Sequence, residues 1–256
     1  MAKRSQFDQG RKPTGQQTEW VYGLHSVDSR ITRAADSIIE AFVDEKRHDA
    51  RMAHIIDGLN GLGIVPQAVN KRALANMIGE GNHQGVVLKC KAAEQKTEKA
   101  LYALLENLNH APLILILDQI TDPHNLGACL RTADGAGVDA VVLPKDGACP
   151  INETVRRVAS GAAEAVNVFY VTNLARCMKE IQQRGVWITG LSDQADQSLQ
   201  AAKLSRPIAC VLGAEGKGMR KLTMENCDTL VSIPMRGEAS SLNVSVATGV
   251  VLYSLV

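Results

Sequence analysis

The stretch LILILDQITDPHNLGACLRTADGAG, residues 113–137, begins like a buried strand and runs through a polar loop into a helical pattern. The run 113–118 is apolar without alternation until its last residue, which is typical of a strand covered on both faces in a parallel sheet. A helix is predicted over 125–136. Asn125 and Arg131 lie about 240° apart around that helix, so they need not share a face. They fit either a functional pair beside the strand end or an N-cap asparagine with an unrelated surface arginine.

The same alternation of strand and helix patterns continues to the end of the chain. Continuous apolar runs predict further strands, over 138–144, 166–171, 186–191, 207–213 and 229–235. Helical patterns accompany them, over 125–136, 173–184 and 243–256, with Asn125 and Asn173 as candidate N-caps. This order of elements predicts an α/β domain with a mostly parallel sheet.

The first part of the chain has a different composition. Residues 1–19 are polar and basic, and we interpret them as a disordered tail that either contacts nucleic acid or only aids solubility. A small α/β unit follows, with a strand, a helix and a strand predicted in 37–43, 51–62 and 85–90. A charged linker then leads into a short helix. The predicted division is tail, small unit, linker and second domain, at 1–19, 20–91, 92–112 and 113–256.

Composition disfavours several classes of protein. With 256 residues, 45% of them hydrophobic, and a formal net charge of +1, the chain is globular and its charge alone indicates no partner. Its six cysteines form no CxxC pair and have no zinc-type spacing, which favours free thiols in a reducing cytosol. The sequence has no signal-like segment and no run of 18 apolar residues, so we expect a cytoplasmic location. No P-loop occurs, and the G-x-G-x-x-A match at Gly135 follows a helix, so an ATP or nicotinamide enzyme loses support.

A glycine-rich segment, VLGAEGKGMRKLT at 211–223, directly follows a predicted strand. Gly213, Gly216 and Gly218 indicate a loop whose backbone comes close to another group. The carboxylate of Glu215 lies in the middle of this loop. The alternative interpretation is a tight turn that enters a helix.

A third polar segment, SIPMRGEASSLNVSVATG at 232–249, lies between the last predicted strand and the last predicted helix. Ser240, Ser241 and Asn243 cluster there, although ordinary helix capping also explains these residue types. All three polar segments follow predicted strands, at the end where open α/β sheets place their ligands.

Taken in this order, the three segments resemble the motifs of the SpoU branch of the SPOUT methyltransferases. NLGACLRTADGAG is similar to the first motif, LGAEGKGM to the second and IPMRGEASSLNVSVATG to the third, and the resemblance spans 113–256. YGLHSV (22–27) through HQGVVL (83–88) resembles the ribosomal-protein-like RNA-binding domain often found ahead of this catalytic domain. Within the family, the arrangement is most similar to enzymes that methylate a guanosine in the peptidyl-transferase P-loop of bacterial 23S rRNA.

The resemblance implies transfer of a methyl group from S-adenosylmethionine (SAM) to a ribose 2′-hydroxyl, without a metal. It also implies a C-terminal trefoil knot, an exception to the rule that chains do not thread loops. SAM would lie in the knot against residues of the second and third motifs: Leu212, Gly213, Gly218, Ile233, Met235 and Leu242. The family forms homodimers with the site at the subunit boundary, so the last helix is expected to contribute to the interface. The chain ends at Val256 inside the predicted last helix, and a tail found in some relatives is expected to be missing.

The family's catalytic pair corresponds to Asn125 and Arg131. A guanidinium stays protonated and is a poor base, so we assign Arg131 to a phosphate or to the developing alkoxide. Asn125 would orient the ribose or Arg131. Glu215 is a candidate for the general base or for an anchor of Arg131, and Ser241 and Asn243 for further hydrogen bonds.

The implied partner is 23S rRNA or a ribosomal assembly intermediate, in ribosome biogenesis. Two alternatives remain open at this point: a tRNA 2′-O-ribose methyltransferase, and a non-catalytic RNA-binding protein of the same fold. The presence of all five candidate catalytic residues argues against the second alternative.

Overall fold

A computed structural model describes residues 18–79, 81–91 and 95–256, which form two α/β units, each with its own sheet. The predicted basic tail lies almost entirely outside these residues. Thr18 and Glu19, assigned to the tail from sequence, instead begin a strand, because they pair with Lys91 and Cys90 in an antiparallel ladder. In the described ranges, no helix has the length and apolar character needed to cross a membrane.

The first unit is a four-stranded sheet with three helices. Its elements are β1 Thr18–Tyr22, α1 Leu24–Arg33, β2 Ile38–Asp44, α2 Ala50–Gly61, β3 Gln67–Val69, α3 Lys71–Ile78 and β4 Val86–Lys91. The strand order is β1-β4-β2-β3, with β4 antiparallel to both neighbours and β3 parallel to β2.

The second unit is a six-stranded sheet with helices on both faces. Its elements are α4 Glu98–Asn107, β5 Leu113–Asp118, α5 Pro123–Gly135, β6 Ala140–Pro144, α6 Glu153–Ala159, α7 Ala162–Ala165, β7 Val168–Val171, α8 Leu174–Gln183, β8 Trp187–Leu191, β9 Ile208–Gly213, α9 Lys221–Glu225, β10 Thr229–Val231 and α10 Val244–Tyr253. The strand order is β10-β8-β9-β5-β6-β7, and each pairing in this sheet is parallel. The predicted parallel sheet is therefore confirmed.

The central strand β5 explains why the sheet has two covered faces. All six of its residues are buried. Leu115 and Leu117 point into one apolar cluster, with α5 and α10, while Ile114 and Ile116 point into the other, with α4 and α8. Burial of each such side chain contributes about 1.5–3 kcal/mol relative to exposure, so the uninterrupted apolar run is what holds the layers together.

The start of α5 differs from the prediction. Asn125 is not its N-cap: the helix begins at Pro123, and the carboxylate of Asp122 accepts the backbone N–H of His124 at 3.0 Å. Proline is favoured in the first turn because its missing N–H would have no helical partner there. Asn173 does cap its helix, α8, as predicted.

Several predicted boundaries are also wrong. The strand predicted over 229–235 ends at Val231, and Pro234, which has no N–H to donate, lies beyond it. The last helix ends at Tyr253, before the end of the chain. The sequence did not predict β1, α1, β3, α3, α6 or α7, and it offered α9 only as the helix of the alternative interpretation of 211–223. The six cysteines are free thiols, as predicted.

Contacts between the two units run from β1 and α1 to α6 and α7. Ser29 donates to the carbonyl of Gly161 at 3.1 Å. Arg156 binds Glu19 at 2.6 Å and also contacts Glu164. Since α6 and α7 pack on α5, the first unit rests against the elements that support the helix with Asn125 and Arg131.

Candidate active site

The three polar segments of the sequence meet at the carboxyl edge of the second sheet. Asp118, at the end of β5, lies opposite Gly213, at the end of β9, in the parallel ladder. Helix α10 packs against α5 and β9. The loops after β5, β9 and β10 are thereby brought together, as expected for ligand sites of open α/β sheets.

The glycine-rich segment forms a closed hairpin. Ala214 and Gly218 exchange backbone hydrogen bonds of 3.1 and 2.8 Å. Gly216 and Gly218 have φ values of 75° and 66°, which favour glycine. A Cβ on Gly213 would overlap the backbone of Gly218 and Met219. The glycines predicted a close approach of the backbone to another group, and that group is the backbone of the same loop. Helix α9 follows shortly after, so the alternative interpretation, a tight turn that enters a helix, was also correct.

Three of the predicted catalytic side chains form one hydrogen-bonded cluster. Asn243 donates to the Oδ1 of Asn125 at 2.9 Å and to Oε2 of Glu215 at 3.1 Å. Asn125 donates to the same Oε2 at 3.3 Å. The Oδ1 of Asn243 accepts the backbone N–H and the hydroxyl of Ser245 at the start of α10, so helix capping fixes which way its amide points. One carboxylate oxygen thus receives amide groups from both other motifs.

The structure does not bring every candidate into this cluster. Arg131 lies six residues further along α5 and is exposed, and within the described residues it forms no hydrogen bond or ion pair. Its guanidinium is consequently free to bind a ligand. Ser241 is exposed and lines the cavity next to the cluster.

A cavity of about 570 Å³ lies beside the cluster, within the usual size for a small-molecule site. All six residues predicted to hold a cofactor line it: Leu212, Gly213, Gly218, Ile233, Met235 and Leu242. Glu215 and Ser241 line it as well. Asn125, Arg131 and Asn243 are not among its lining residues, so the catalytic candidates lie partly outside it.

One wall of the cavity was missed from the sequence. This wall is formed by the last residue of β8, Leu191, and by the three residues that follow it, Ser192, Asp193 and Gln194. Only their position in the sequence could have indicated them. They lie at and just after the end of the strand predicted over 186–191, whose carboxyl end lies at the same edge of the sheet as the ends of the other predicted strands. The segment has no glycine cluster or motif, so it gave no chemical signal of its own.

The lining combines charge with apolar surface. Asp193 and Glu215 supply carboxylates, Lys217 supplies an ammonium, and Leu212 and Met224 supply apolar contacts. Such a cavity suits a ligand that carries a positive centre, polar ends and an apolar part. Among the described residues, no cluster of His, Cys, Asp and Glu is arranged to bind a metal ion.

Comparison with known proteins identifies the family. Residues 112–253 match the model of the SpoU rRNA Methylase family, and residues 20–96 match the model for RNA 2′-O ribose methyltransferase substrate binding. The chain belongs to the SpoU rRNA methylase family. The three segments that resemble the motifs of the SpoU family lie together at the carboxyl edge of the second sheet.

The chain is also similar to named relatives and to solved structures. The chain is 49% identical to the 23S rRNA (guanosine-2′-O-)-methyltransferase RlmB of Pectobacterium atrosepticum, over 93% of this chain and 98% of that one. A crystal structure of an RNA 2′-O ribose methyltransferase shares 24% identity with a TM-score of 0.75, over 93% of this chain and 87% of the other. The SpoU methyltransferase AviRb from Streptomyces viridochromogenes, solved in complex with AdoMet, gives 19% identity and a TM-score of 0.75, over 92% and 88%. The last two similarities show the shared SPOUT fold.

Proposed function

We propose that this chain transfers a methyl group from SAM to the 2′-hydroxyl of a guanosine in 23S rRNA. The observation that carries the proposal is the cluster of Asn125, Glu215 and Asn243, one residue from each motif, beside a cavity of cofactor size. RlmB of P. atrosepticum, similar along almost its whole length, bears the name of this activity. We further infer that the target is the peptidyl-transferase P-loop, and that the reaction serves ribosome biogenesis.

The residues of the cavity fit SAM. SAM supplies a methyl group activated by its bond to a positively charged sulfur. The carboxylate of Asp193 favours a positive centre, and Leu212, Ile233 and Met235 provide apolar surface for a nucleoside. Gly213 and Gly218 line the cavity, and their backbone groups would hold the cofactor there. We also propose that the chain around this site forms the family's trefoil knot.

The cluster is suited to handling the proton of the ribose hydroxyl. Oε2 of Glu215 accepts from two amides, and within the described residues Oε1 has no hydrogen-bond donor. We therefore favour Glu215 as the general base, with Asn125 and Asn243 fixing its orientation. Ser241 lines the cavity next to the cluster and would add a hydrogen bond to the ribose. Arg131, exposed and unpaired among the described residues, would bind the adjacent phosphate or stabilise the developing alkoxide.

The division of labour along the chain is part of the proposal. We infer a basic tail at 1–17, where the sequence predicted 1–19, and an RNA substrate-binding domain that begins with β1 at Thr18 and ends at Lys91. A linker at 92–112 carries α4, and the catalytic domain follows at 113–256. An open hollow in the first domain supports RNA binding, because it is lined by Lys71, Arg72, Ala75, Gly81, Asn82 and His83 and is therefore basic.

We propose a homodimer with α10 at the interface. Its side chains Val246, Val250 and Tyr253 are 52%, 38% and 57% exposed, which is unusual for an apolar helix face without a covering partner. A second copy of the chain packed on this face would bury them near the catalytic cluster, whose Asn243 caps the same helix.

The test is to map 2′-O-methyl groups by mass spectrometry after unmodified 23S rRNA has been incubated with the protein and SAM. We expect one new methyl on a guanosine of the peptidyl-transferase loop. Arg131→Ala should abolish it, while Arg176→Ala, which removes an exposed arginine from α8 of the same domain, should not. Methylation of tRNA alone would replace the substrate in this proposal, and absence of SAM binding would contradict the methyltransferase itself.

A further inference from the structure

Asp118 is a buried carboxylate for which the reaction has no direct use. It is the last residue of β5 and has no exposed surface. Its Oδ2 accepts the backbone N–H of Arg220 at 2.9 Å and the hydroxyl of Thr223 at 2.8 Å. Its Oδ1 accepts Nε of Arg220 at 2.9 Å and lies 2.7 Å from the second guanidinium nitrogen. A buried charge with this many donors is compensated, and losing one partner is costly.

The position of Asp118 relates it to the hairpin of the second motif. Gly213 enters the hairpin directly opposite Asp118 in the β5–β9 ladder. Arg220 leaves the hairpin and returns to the Asp118 side chain. Both ends of the segment 213–220 are therefore tied to one residue on a rigid central strand.

The segment tied in this way forms much of the reaction site. Residues 213–219 line the cavity without interruption. Glu215 also joins the cluster with Asn125 and Asn243. A shift of this hairpin would therefore change the shape of the cavity and at the same time displace Glu215, the proposed general base.

We propose that Asp118 is a positioning residue: through Arg220 it holds the hairpin in the form that binds SAM and aims Glu215. This inference rests on the proposed function, since it takes the cavity ligand to be SAM. Asp118 touches neither the cavity nor the cluster, and it acts only through the segment it ties. A purely structural role would lower stability and leave SAM binding by the folded protein unchanged.

Asp118→Asn tests the proposal because it keeps the size of the side chain and removes its charge. The new amide N–H groups in Asp118→Asn would face Arg220 and Thr223, which are themselves donors to this position, so part of the hydrogen bonding would be lost.

Asp228→Asn is the control for the same change at another hydrogen-bonded carboxylate, although Asp228 is exposed. Asp228 accepts the backbone N–H of Ile188 at 2.7 Å and an amide of Gln182 at 2.9 Å. These contacts lie at the start of β8, at the opposite edge of the sheet from the cavity.

SAM affinity is measured by calorimetry on the full-length protein, at a temperature at which circular dichroism shows each variant to be folded. We expect the Kd for SAM to rise at least about tenfold in Asp118→Asn and to stay within about twofold of wild type in Asp228→Asn. Hydrogen exchange of the amides in 214–219 should accelerate in the first variant only.

Arg220→Ala provides a second route if Asp118→Asn does not fold, since the Arg220 side chain is 42% exposed and its backbone N–H remains. Arg220→Ala should weaken SAM binding to a similar extent. The double variant of Asp118→Asn and Arg220→Ala should bind SAM no more weakly than either single variant, because both changes break the same interaction. Wild-type affinity in a folded Asp118→Asn or Arg220→Ala variant would overturn the inference alone. A wild-type protein that does not bind SAM would instead contradict the proposed function.

Discussion

A single oxygen of Glu215, Oε2, accepts amide N–H groups from Asn125 and Asn243 at 3.3 and 3.1 Å. Both donors are neutral and fixed on helices, at the third residue of α5 and at the cap of α10. The arrangement orients a carboxylate without neutralising it, unlike an ion pair with arginine. Orientation without neutralisation is what a general base requires.

Glu215→Gln should therefore separate catalysis from binding. Glutamine can still accept both amide groups, but it cannot take a proton. We expect the rate of methyl transfer under saturating SAM and RNA to fall by about 100-fold, with the Kd for SAM changed by less than about threefold. The control is Glu238→Gln, which neutralises an exposed carboxylate in the loop of the third motif. An unchanged rate in Glu215→Gln would assign the proton to another group.

At the scale of elements, the N-terminus of α5 depends on Asp122. The backbone N–H of His124 donates to this carboxylate and, as the main cause, lowers the pKa of Asp122 below its ordinary value. A folded pKa below the unfolded one means that the group stabilises the fold above its unfolded pKa. The stabilisation is lost as the pH falls through the folded pKa.

Asp122→Ala should thus cost about 1 kcal/mol of unfolding free energy at pH 7, the usual worth of an N-cap. The difference from wild type should shrink as the pH falls from the ordinary Asp pKa of about 3.9 through the lower folded-state pKa, where the wild-type carboxylate becomes protonated. Urea unfolding at several pH values measures this. Asp122→Asn is the control, because it can cap the helix without titrating, so its stability should lack this acid-dependent step. A cost of the alanine variant that is the same at every pH would contradict the assignment.

The hollow beside α3 gives a prediction for the first domain. Replacing Lys71 and Arg72 together by glutamine should weaken RNA binding and reduce the slope of log affinity against log salt by about 2 if each contacts one phosphate. Fluorescence titration of a 23S rRNA fragment at several salt concentrations measures both effects. The double control Lys99→Gln/Lys179→Gln removes the same charge from exposed positions on α4 and α8. Equal slopes for the two double variants would rule the hollow out as a phosphate site.

How far the sequence could predict these elements depends on their chemistry. Strand β5 was predictable because an apolar run that is buried on both faces has few other solutions. Strand β3 was not, since Gln67–Val69 is three residues long and two of them are exposed. Helix α1 was missed because its N-cap is Gly23, which has no side chain, and because its buried face includes Arg30. Such an arginine is compatible with burial only through partners that lie elsewhere in the chain.

The site shows the same limit. The resemblance to the family's motifs predicted Leu212, Gly213 and Leu242 as cofactor-binding residues, and in the structure these three residues line one cavity. Nothing local marked the pairing of Asp118 with Arg220, because these residues are 102 positions apart and each alone resembles an ordinary surface charge. Such long-range pairs of polar groups depend on the three-dimensional fold. The pattern of apolar residues in the sequence predicts the helices and strands but not which polar side chains will meet.

At the scale of the whole molecule, four charges join the two units in a closed ring. Glu19 contacts Arg30 at 2.8 Å and Arg156 at 2.6 Å, and Glu164 contacts both arginines. Glu19 and Arg30 belong to the first unit, and Arg156 and Glu164 to α6 and α7 of the second. The two positive and two negative charges balance, which makes their burial tolerable. The ring therefore fixes the first unit against the helices that support α5.

Arg156→Ala should break this ring and cost about 3 kcal/mol or more of unfolding free energy, because it leaves Glu164, whose side chain is only 2% exposed, with a single more distant partner, Arg30 at 3.7 Å. Arg176→Ala, which removes a 61% exposed arginine from its pair with Glu98, should cost at most about 1 kcal/mol. Urea unfolding of both variants makes the comparison. Limited proteolysis should also cut the segment between the units faster in Arg156→Ala, because the ring no longer holds them together. Equal losses in the two variants, with equal cleavage, would show that the ring does not hold the first unit against the second.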